Sequence, residues 1–138
     1  MKYPAVFKPE SGGFVVTFRD IPEAITQGDD DADALFMARD VLREAMSIYF
    51  DEKRPVPMPS KPHKGERLVD LPASVAVKVL LLNEVLAQKI GPSEMGRRLG
   101  MSPQTANRLI DLSHATKIDQ LEDALNALGK DLELSVVG

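Results

Sequence analysis

Residues Gly91 to Ile110 constrain the fold of this chain more than any other segment, because they predict two short helices separated by a tight turn. Pro92 suits the first position of a helix, where its missing N–H costs nothing. Gly100 follows the last apolar residue of that helix and suits the left-handed conformation that often ends helices. Ser102 and Pro103 then predict the N-cap and the first residue of a second helix. Two helices on such a turn are typical of a helix-turn-helix.

Gly96 lies inside the first predicted helix. On a surface helix, a glycine would only reduce stability, by about 1 kcal/mol relative to alanine. Two helices that cross steeply over a short turn, however, need a small residue where they come closest. The position of Gly96 before the turn therefore favours a packing role.

The second predicted helix has an apolar edge and a polar N-terminal part. Ala106, Leu109 and Ile110 form the apolar edge. The polar side chains can reach base edges in a DNA groove, and basic side chains nearby can bind phosphates. The predicted DNA-binding residues are Ser102, Gln104, Thr105, Asn107, Arg108, Arg97, Arg98 and Lys117.

The charge of the chain is basic only in this region. The whole sequence has a formal net charge of −4, which argues against non-specific binding to polyanions. Between Lys89 and Lys117, five basic residues stand against two acidic ones, Glu94 and Asp111. This excess suits phosphate contacts beside a recognition helix, although a solvated helix face would show the same pattern.

Composition limits the environment of the protein. Cysteine is absent, which excludes disulfides and thiolate metal sites and suits a reducing compartment. The N-terminus has no apolar run of secretory length, and the longest apolar run, Val75 to Leu82, is interrupted by Lys78 and too short to span a bilayer. We therefore expect a soluble cytoplasmic protein that does not bind membranes.

The N-terminal half predicts a small sheet covered by one helix. Strand-like runs over residues 3–7 and 14–18 flank Ser-Gly-Gly and predict a hairpin, and further strands are predicted over 24–27 and 67–71. Between the last two, a long helix begins after three aspartates at 29–31. Its apolar stripe at helical spacing consists of Leu35, Ala38, Leu42, Ala45, Met46 and Tyr49. This β-β-β-α-β unit leaves one sheet face and an edge uncovered, which predicts a protein partner.

We predict two domains, residues 1–72 and 73–138, in an α+β chain. Several prolines exclude regular helix and central strand over residues 55–65, which we interpret as an extended connector or edge within the first domain. The second domain is predicted to be helical. It should contain an apolar helix that starts after Pro72 and ends at Gly91, the helix-turn-helix, and a last helix that begins with a capping box of Thr116 and Asp119.

The C-terminal residues 131–137 alternate between apolar and polar side chains and predict a strand. A single strand is not stable alone, so it must pair within its own domain or with its copy in a second subunit. The second arrangement would give a homodimer or higher oligomer with the two-fold symmetry of DNA half-sites.

Catalytic chemistry is not predicted. His63 and His114 have no partner at metal-ligand or catalytic-triad spacing. Four carboxylates of the N-terminal half could surround a divalent metal in a nuclease: Glu10, Asp20, Asp40 and Glu44. Asp40 and Glu44, however, lie one helical turn apart and are expected to face water. We therefore predict no enzyme activity, no metal and no cofactor.

Three segments are similar to those of a single known family. They are YPAVFKPESGGFVVTFRDIPEAITQG at 3–28, LPASVAVKVLLLN at 71–83, and HATKIDQLEDALNALGKDLEL at 114–134. Over nearly its whole length the chain thus resembles the long-form HicB-type antitoxins. Many members have Glu-Leu-Ala where this chain has Glu94-Met95-Gly96, and many have a polar residue where it has Pro103. The glycine lowers helix propensity, and the proline removes a possible base contact.

The resemblance implies a partial ribonuclease-H-like sheet without catalysis, followed by a dimeric helix-turn-helix domain that binds the promoter of its own operon. It also implies a partner, a HicA-type toxin that cleaves mRNA. The alternative is a ligand-sensing helix-turn-helix regulator without a toxin. The small N-terminal unit leaves that alternative little room for the roughly 300 Å³ that a ligand pocket needs.

Overall fold

The secondary structure runs β-β-β-α-β and then continues as four helices. A computed structural model describes all 138 residues as a mixed α+β fold with a four-stranded antiparallel sheet. The strands are β1 (Lys2–Glu10), β2 (Gly13–Phe18), β3 (Ile25–Gly28) and β4 (Arg67–Asp70). The helices are α1 (Asp31–Glu52), α2 (Ala73–Ala87), α3 (Pro92–Leu99), α4 (Pro103–Arg108) and α5 (Ile118–Ala127). The α+β class and the order of these elements are confirmed.

The chain forms two compact units. The first contains residues 1–52 and 56–76, and the second contains residues 53–55 and 77–138. Helix α2 runs without a break across the boundary at residue 76. The chain therefore passes into the second unit inside a helix.

The sheet of the first unit has the strand order β3-β2-β1-β4. Strands β1 and β2 form the predicted hairpin, in which Ala5 pairs with Phe18 and Phe7 with Val16. Residues opposite each other in an antiparallel pair project to the same face. Phe18, Val16 and Ala5 are almost fully buried. They form the sheet side of the first core.

Helix α1 covers that face with a stripe of apolar side chains. The buried residues are Ala34, Ala38, Leu42, Ala45, Met46, Tyr49 and Phe50. Leu35, predicted to be in the stripe, is only half-buried, and Ala34 takes its place. Asp40 and Glu44 are exposed, as expected for a solvated helix face.

The opposite sheet face keeps apolar side chains in contact with solvent. Thr17 pairs with both Val6 and Ile25, so these three residues form a row across the sheet. Ile25 is 61% exposed and Val6 is 42% exposed. Leu68 on β4 pairs with Pro4 on the same face and is 46% exposed. We refer to Val6, Ile25 and Leu68 as the open sheet face.

The proline-rich segment is held against the first unit by Arg19, which follows β2. The Arg19 guanidinium donates to both Glu66 carboxylate oxygens, at 3.0 and 2.8 Å, and to the Lys61 carbonyl at 2.7 Å. These hydrogen bonds, with one from the His63 backbone, lower the pKa of Glu66 to about 2. Nearby, the Tyr3 hydroxyl donates to the Pro57 carbonyl at 2.7 Å. From residue 56 onward, the segment is thus a bound part of the first unit.

The second unit packs α2 to α5 around an apolar core. Leu81 and Leu82 of α2 are fully buried, and Met95 and Leu121 are almost fully buried. Helix α2 ends at Ala87, before the expected Gly91, because Lys89 adopts a left-handed conformation with φ of 56°.

Helix α5 starts differently from the prediction. Its N-cap is Lys117, and no side chain caps its first turn. The Thr116 hydroxyl instead lies 3.5 Å from the His114 carbonyl, so the predicted capping box with Asp119 is wrong. The Thr116 hydroxyl contacts a nearby backbone carbonyl instead of capping the helix, which is common for short hydroxyl side chains.

The predicted C-terminal strand is not formed within this chain. Residues 130–138 have no regular secondary structure, and Leu134, Val136 and Val137 are largely exposed. The alternation is present in the sequence, but a strand needs a neighbouring backbone for its hydrogen bonds, and none lies beside this segment.

None of the helices combines the length and the apolar character needed to cross a membrane. No three of the His, Asp and Glu side chains are grouped so that they could hold a metal ion.

Candidate functional site

Helices α3 and α4 are joined by the tight turn that the sequence predicts. Helix α3 begins at Pro92, and Gly100 ends it with φ of 68° and ψ of 36°, in the left-handed region. Ser102 caps α4, because its hydroxyl accepts a hydrogen bond from the Thr105 N–H at 3.1 Å. Both helix ends therefore follow from local residue chemistry.

Gly96 lies where the backbone of the turn comes closest to α3. A Cβ atom on Gly96 would lie 2.5 Å from the Met101 carbonyl oxygen. The Met101 N–H also donates to the Gly96 carbonyl at 2.9 Å. The predicted packing role of Gly96 is confirmed, since no side chain fits between these two stretches of backbone.

Helix α4 turns its polar side chains outward. Ala106 is 3% exposed and Leu109 is 4% exposed, so both belong to the core of the second unit. The five candidate residues of this helix and its cap are all exposed: Ser102, Gln104, Thr105, Asn107 and Arg108. The structure brings them together on one surface, which we call the α4 face. The hydroxyls of Ser102 and Thr105 are 2.9 Å apart and bind each other as part of the cap.

The basic candidates of α3 are less free than the sequence suggests. Arg97 and Arg98 both donate to the Glu94 carboxylate, and these bonds lower the pKa of Glu94 to about 2. Arg98 also donates to the Ala127 carbonyl at 3.1 Å, at the end of α5. Arg98 therefore fastens α3 to α5, whereas the Arg97 side chain remains 71% exposed.

Arg108 and Lys117 differ from that pair. Both are exposed, and neither forms an ion pair within the chain. A guanidinium or ammonium without an internal partner can meet a base edge or a phosphate without first breaking a bond.

Sequence reasoning missed Lys78 as a site residue. The side chain lies on α2 and is 4% exposed. Its ammonium donates to the carbonyls of Arg108, Asp111 and His114, at 3.2, 2.6 and 2.5 Å. Burial lowers the pKa of this amine, and the nearby Asp111 carboxylate opposes that shift. The available signal was a lone lysine in an otherwise apolar run, since such a charge needs partners when buried.

The chain thus presents two exposed surfaces, an open sheet face on one unit and the α4 face on the other. Residues 2–80 match the family model described as the HicB_like antitoxin of bacterial toxin-antitoxin systems. Antitoxin HicB 2 of Photorhabdus laumondii is 49% identical over 99% of this chain and 97% of its own length. Antitoxin HicB of Escherichia coli K12 is 44% identical over 99% of this chain and its own full length.

A third relative, Antitoxin HicB of Pseudomonas fluorescens, is 35% identical over 98% of this chain and 93% of its own length. The chain belongs to the HicB-like family of antitoxins, and the resemblance predicted from the sequence is confirmed. Membership of an antitoxin family agrees with the prediction that the chain is not an enzyme.

The close approach at Gly96 generates a prediction about stability. Helix propensity alone would make Gly96→Ala more stable by about 1 kcal/mol. The methyl group would instead push the Met101 carbonyl away, and we expect a net loss of about 1–3 kcal/mol in the free energy of unfolding. Urea unfolding followed by circular dichroism measures this change.

Ser93→Ala, an exposed change in the same helix, should alter stability by less than about 0.5 kcal/mol. A stabilised Gly96→Ala protein would contradict the close approach.

Proposed function

We propose that this chain neutralises a HicA-type ribonuclease toxin in the cytoplasm and represses its own operon by sequence-specific DNA binding. Membership of the antitoxin family supports the first activity. The second activity, DNA binding, is supported by the α4 face, whose polar side chains are exposed while the apolar edge of the same helix is buried.

In this proposal α3 and α4 act as a helix-turn-helix, with α4 as the recognition helix. Gln104, Asn107 and Arg108 are exposed and extend from the part of the helix that would enter the major groove. Lys117 and Arg97 lie outside that helix and would bind phosphates. Ser102 and Thr105 would contribute through what remains of their hydrogen-bonding capacity, because their hydroxyls already bind each other.

The DNA-binding species is proposed to be a homodimer or higher oligomer. Helix α4 has six residues, which offers few contacts to a single DNA half-site. The exposed segment 130–138 alternates apolar and polar residues and lacks a partner backbone. Pairing of two such segments would supply the missing hydrogen bonds and set the two α4 helices roughly 34 Å apart, one DNA turn.

The first unit is proposed to be a partial ribonuclease-H-like domain that binds the toxin. Its open sheet face exposes Val6, Ile25 and Leu68, which is apolar area that a partner would cover. Around these side chains, the exposed edge strand β3 offers unpaired backbone groups. We propose this face and edge as the surface that blocks the ribonuclease.

The alternative function, sensing of a small ligand, has less support. A depression of about 370 Å³ in the first unit lies beside α1 and is lined by Phe36, Arg39, Asp40, Arg43, Asp70, Leu71 and Pro72. It is an open groove with four charged side chains. Sites for small ligands are enclosed and mostly apolar, so this groove does not suit that role.

Loss of the α4 side chains should weaken operator binding. Arg108→Ala should lose about 1–3 kcal/mol of binding free energy if Arg108 pairs with a guanine edge. Gln104→Ala tests a second contact. Lys130→Ala removes one positive charge from the same unit outside α4, so it should change affinity much less. Fluorescence anisotropy at fixed salt, with a duplex from the region upstream of the chain's own reading frame, measures all three. Unchanged affinity in both α4 variants would show that α4 does not read DNA.

Removal of the C-terminal segment should abolish the dimer. A chain ending at Lys130 should be monomeric by light scattering, and its operator affinity should fall because only one half-site is bound. Full-length Glu133→Gln, which keeps every apolar side chain of the segment, should remain dimeric. An intact dimer in the truncated chain would assign dimerisation to another surface.

A charge on the open sheet face should separate the two activities. Ile25→Lys and Val6→Lys place a cation on exposed positions, so the fold should be kept while affinity for the toxin falls at least about tenfold. Each full-length variant is co-expressed with the small toxin-sized reading frame beside its gene, and growth, intact mRNA and co-purification are scored. Ile48→Lys, at a 39% exposed apolar position on α1, is the matched control and should still rescue growth. Full rescue by both sheet variants would exclude this face.

A further inference from the structure

The end of α4 is held by a buried charge from another helix. Lys78 lies in α2, 30 residues before Arg108, and its ammonium is bonded to the carbonyl of that residue. The other two acceptors, Asp111 and His114, belong to the segment that leads from α4 to α5. One side chain thus binds the last residue of α4 and two points of the backbone that follows it.

All of the hydrogen-bonding capacity of this ammonium is used. A lysine ammonium has three donors and no acceptor, and three carbonyls surround it. A positive charge at the carboxyl end of a helix is also favoured by the helix dipole. The only other charge facing this group is Asp111, whose carboxylate is itself held by the Ser113 N–H and hydroxyl at 2.9 and 2.7 Å.

The other hydrogen bonds of the backbone after α4 are short-range ones within the segment itself. The N–H groups of Leu109, Ile110 and Asp111 bind carbonyls three residues back, at 3.1, 3.2 and 3.2 Å. These three consecutive bonds tighten the end of α4 into a 3₁₀-type turn. The Lys78 ammonium therefore ties this segment to α2 from outside, through the last residue of α4 and two carbonyls beyond it.

We propose that Lys78 is a positioning residue for DNA reading, which sets the orientation at which α4 presents Asn107 and Arg108. This inference rests on the proposed DNA-binding function. Lys78 is buried and does not touch DNA; it acts through the Arg108 backbone. A wrong orientation of α4 weakens contacts to base edges, which are directional, more than contacts to phosphates, which depend mainly on charge. Loss of Lys78 should therefore reduce specificity beyond any loss of stability.

The test uses full-length Lys78→Met, which keeps a long side chain and removes the three donors. Affinity is measured for the duplex upstream of the chain's own reading frame and for a scrambled duplex of equal length. We expect affinity for the upstream duplex to fall about tenfold or more, the size of one lost base contact, with little change for the scrambled duplex.

Two controls separate positioning from stability. Gln88→Met removes two side-chain hydrogen bonds from the residue after α2, to the Leu128 carbonyl and the Glu84 carboxylate, both at 3.0 Å and away from α4. Leu121→Val removes a buried methylene from α5 and lowers stability without touching the Lys78 bonds. Both should keep the ratio of the two affinities at the wild-type value, at a temperature where circular dichroism shows all variants folded.

The outcomes are distinct. If Lys78→Met keeps the wild-type ratio, or if all three variants lower it in step with their melting temperatures, Lys78 is only a structural residue. If the wild-type chain itself does not distinguish the two duplexes, the proposed DNA function fails, and the positioning role fails with it.

Should Lys78→Met not fold, a measurement on the wild-type chain decides instead. The ¹⁵N-labelled Lys78 ammonium should give a slowly exchanging NMR signal. That signal should persist when the upstream duplex is added. The duplex should also shift the amide signals of Asn107 and Arg108. An ammonium that exchanges as fast as exposed Lys130 would overturn the proposal.

Discussion

The close backbone contact between Gly96 and Met101 is the constraint on which the second unit depends. It brings the turn against α3, so that Ser102 can cap α4 and Ala106 can enter the core. With one edge of α4 buried in this way, its other side chains must face solvent. The exposure of the α4 face therefore depends on the close approach of the Met101 backbone to Gly96.

Local chemistry made much of the fold predictable. The boundaries of α3 and α4 follow from proline, glycine and serine at helix ends, and the β-β-β-α-β order follows from alternation and helical spacing. The exposure of the α4 face follows from the same spacing. Prediction was weaker where a competing local contact decides the outcome. Thr116 contacts His114 instead of capping α5, and Lys89 ends α2 early.

Contacts between distant residues explain the rest of the difference. The pairing of Arg98 with Glu94 could be guessed from helical spacing, but its bond to Ala127 depends on how α5 packs. Lys78 depends on a segment more than 30 residues away, and no pattern near it indicates which carbonyls it will meet. The C-terminal alternation predicts a strand, yet pairing requires a second backbone, and this segment forms no strand with the rest of its own chain.

The attachment of the proline-rich segment to Arg19 also bears on the unfolded chain. Prolines restrict backbone rotation before folding, so the segment has fewer conformations to lose when Glu66 and Lys61 bind Arg19. Fixing an ordinary residue costs about 1–2 kcal/mol of conformational entropy, and each proline avoids part of that cost. A stretch without helix or strand can thus be ordered by a few side chains of the sheet and its end: Arg19, Tyr3 and Asp20. The prolines favour the ordered segment by reducing the conformational entropy of the denatured state, and the native contacts add to that effect.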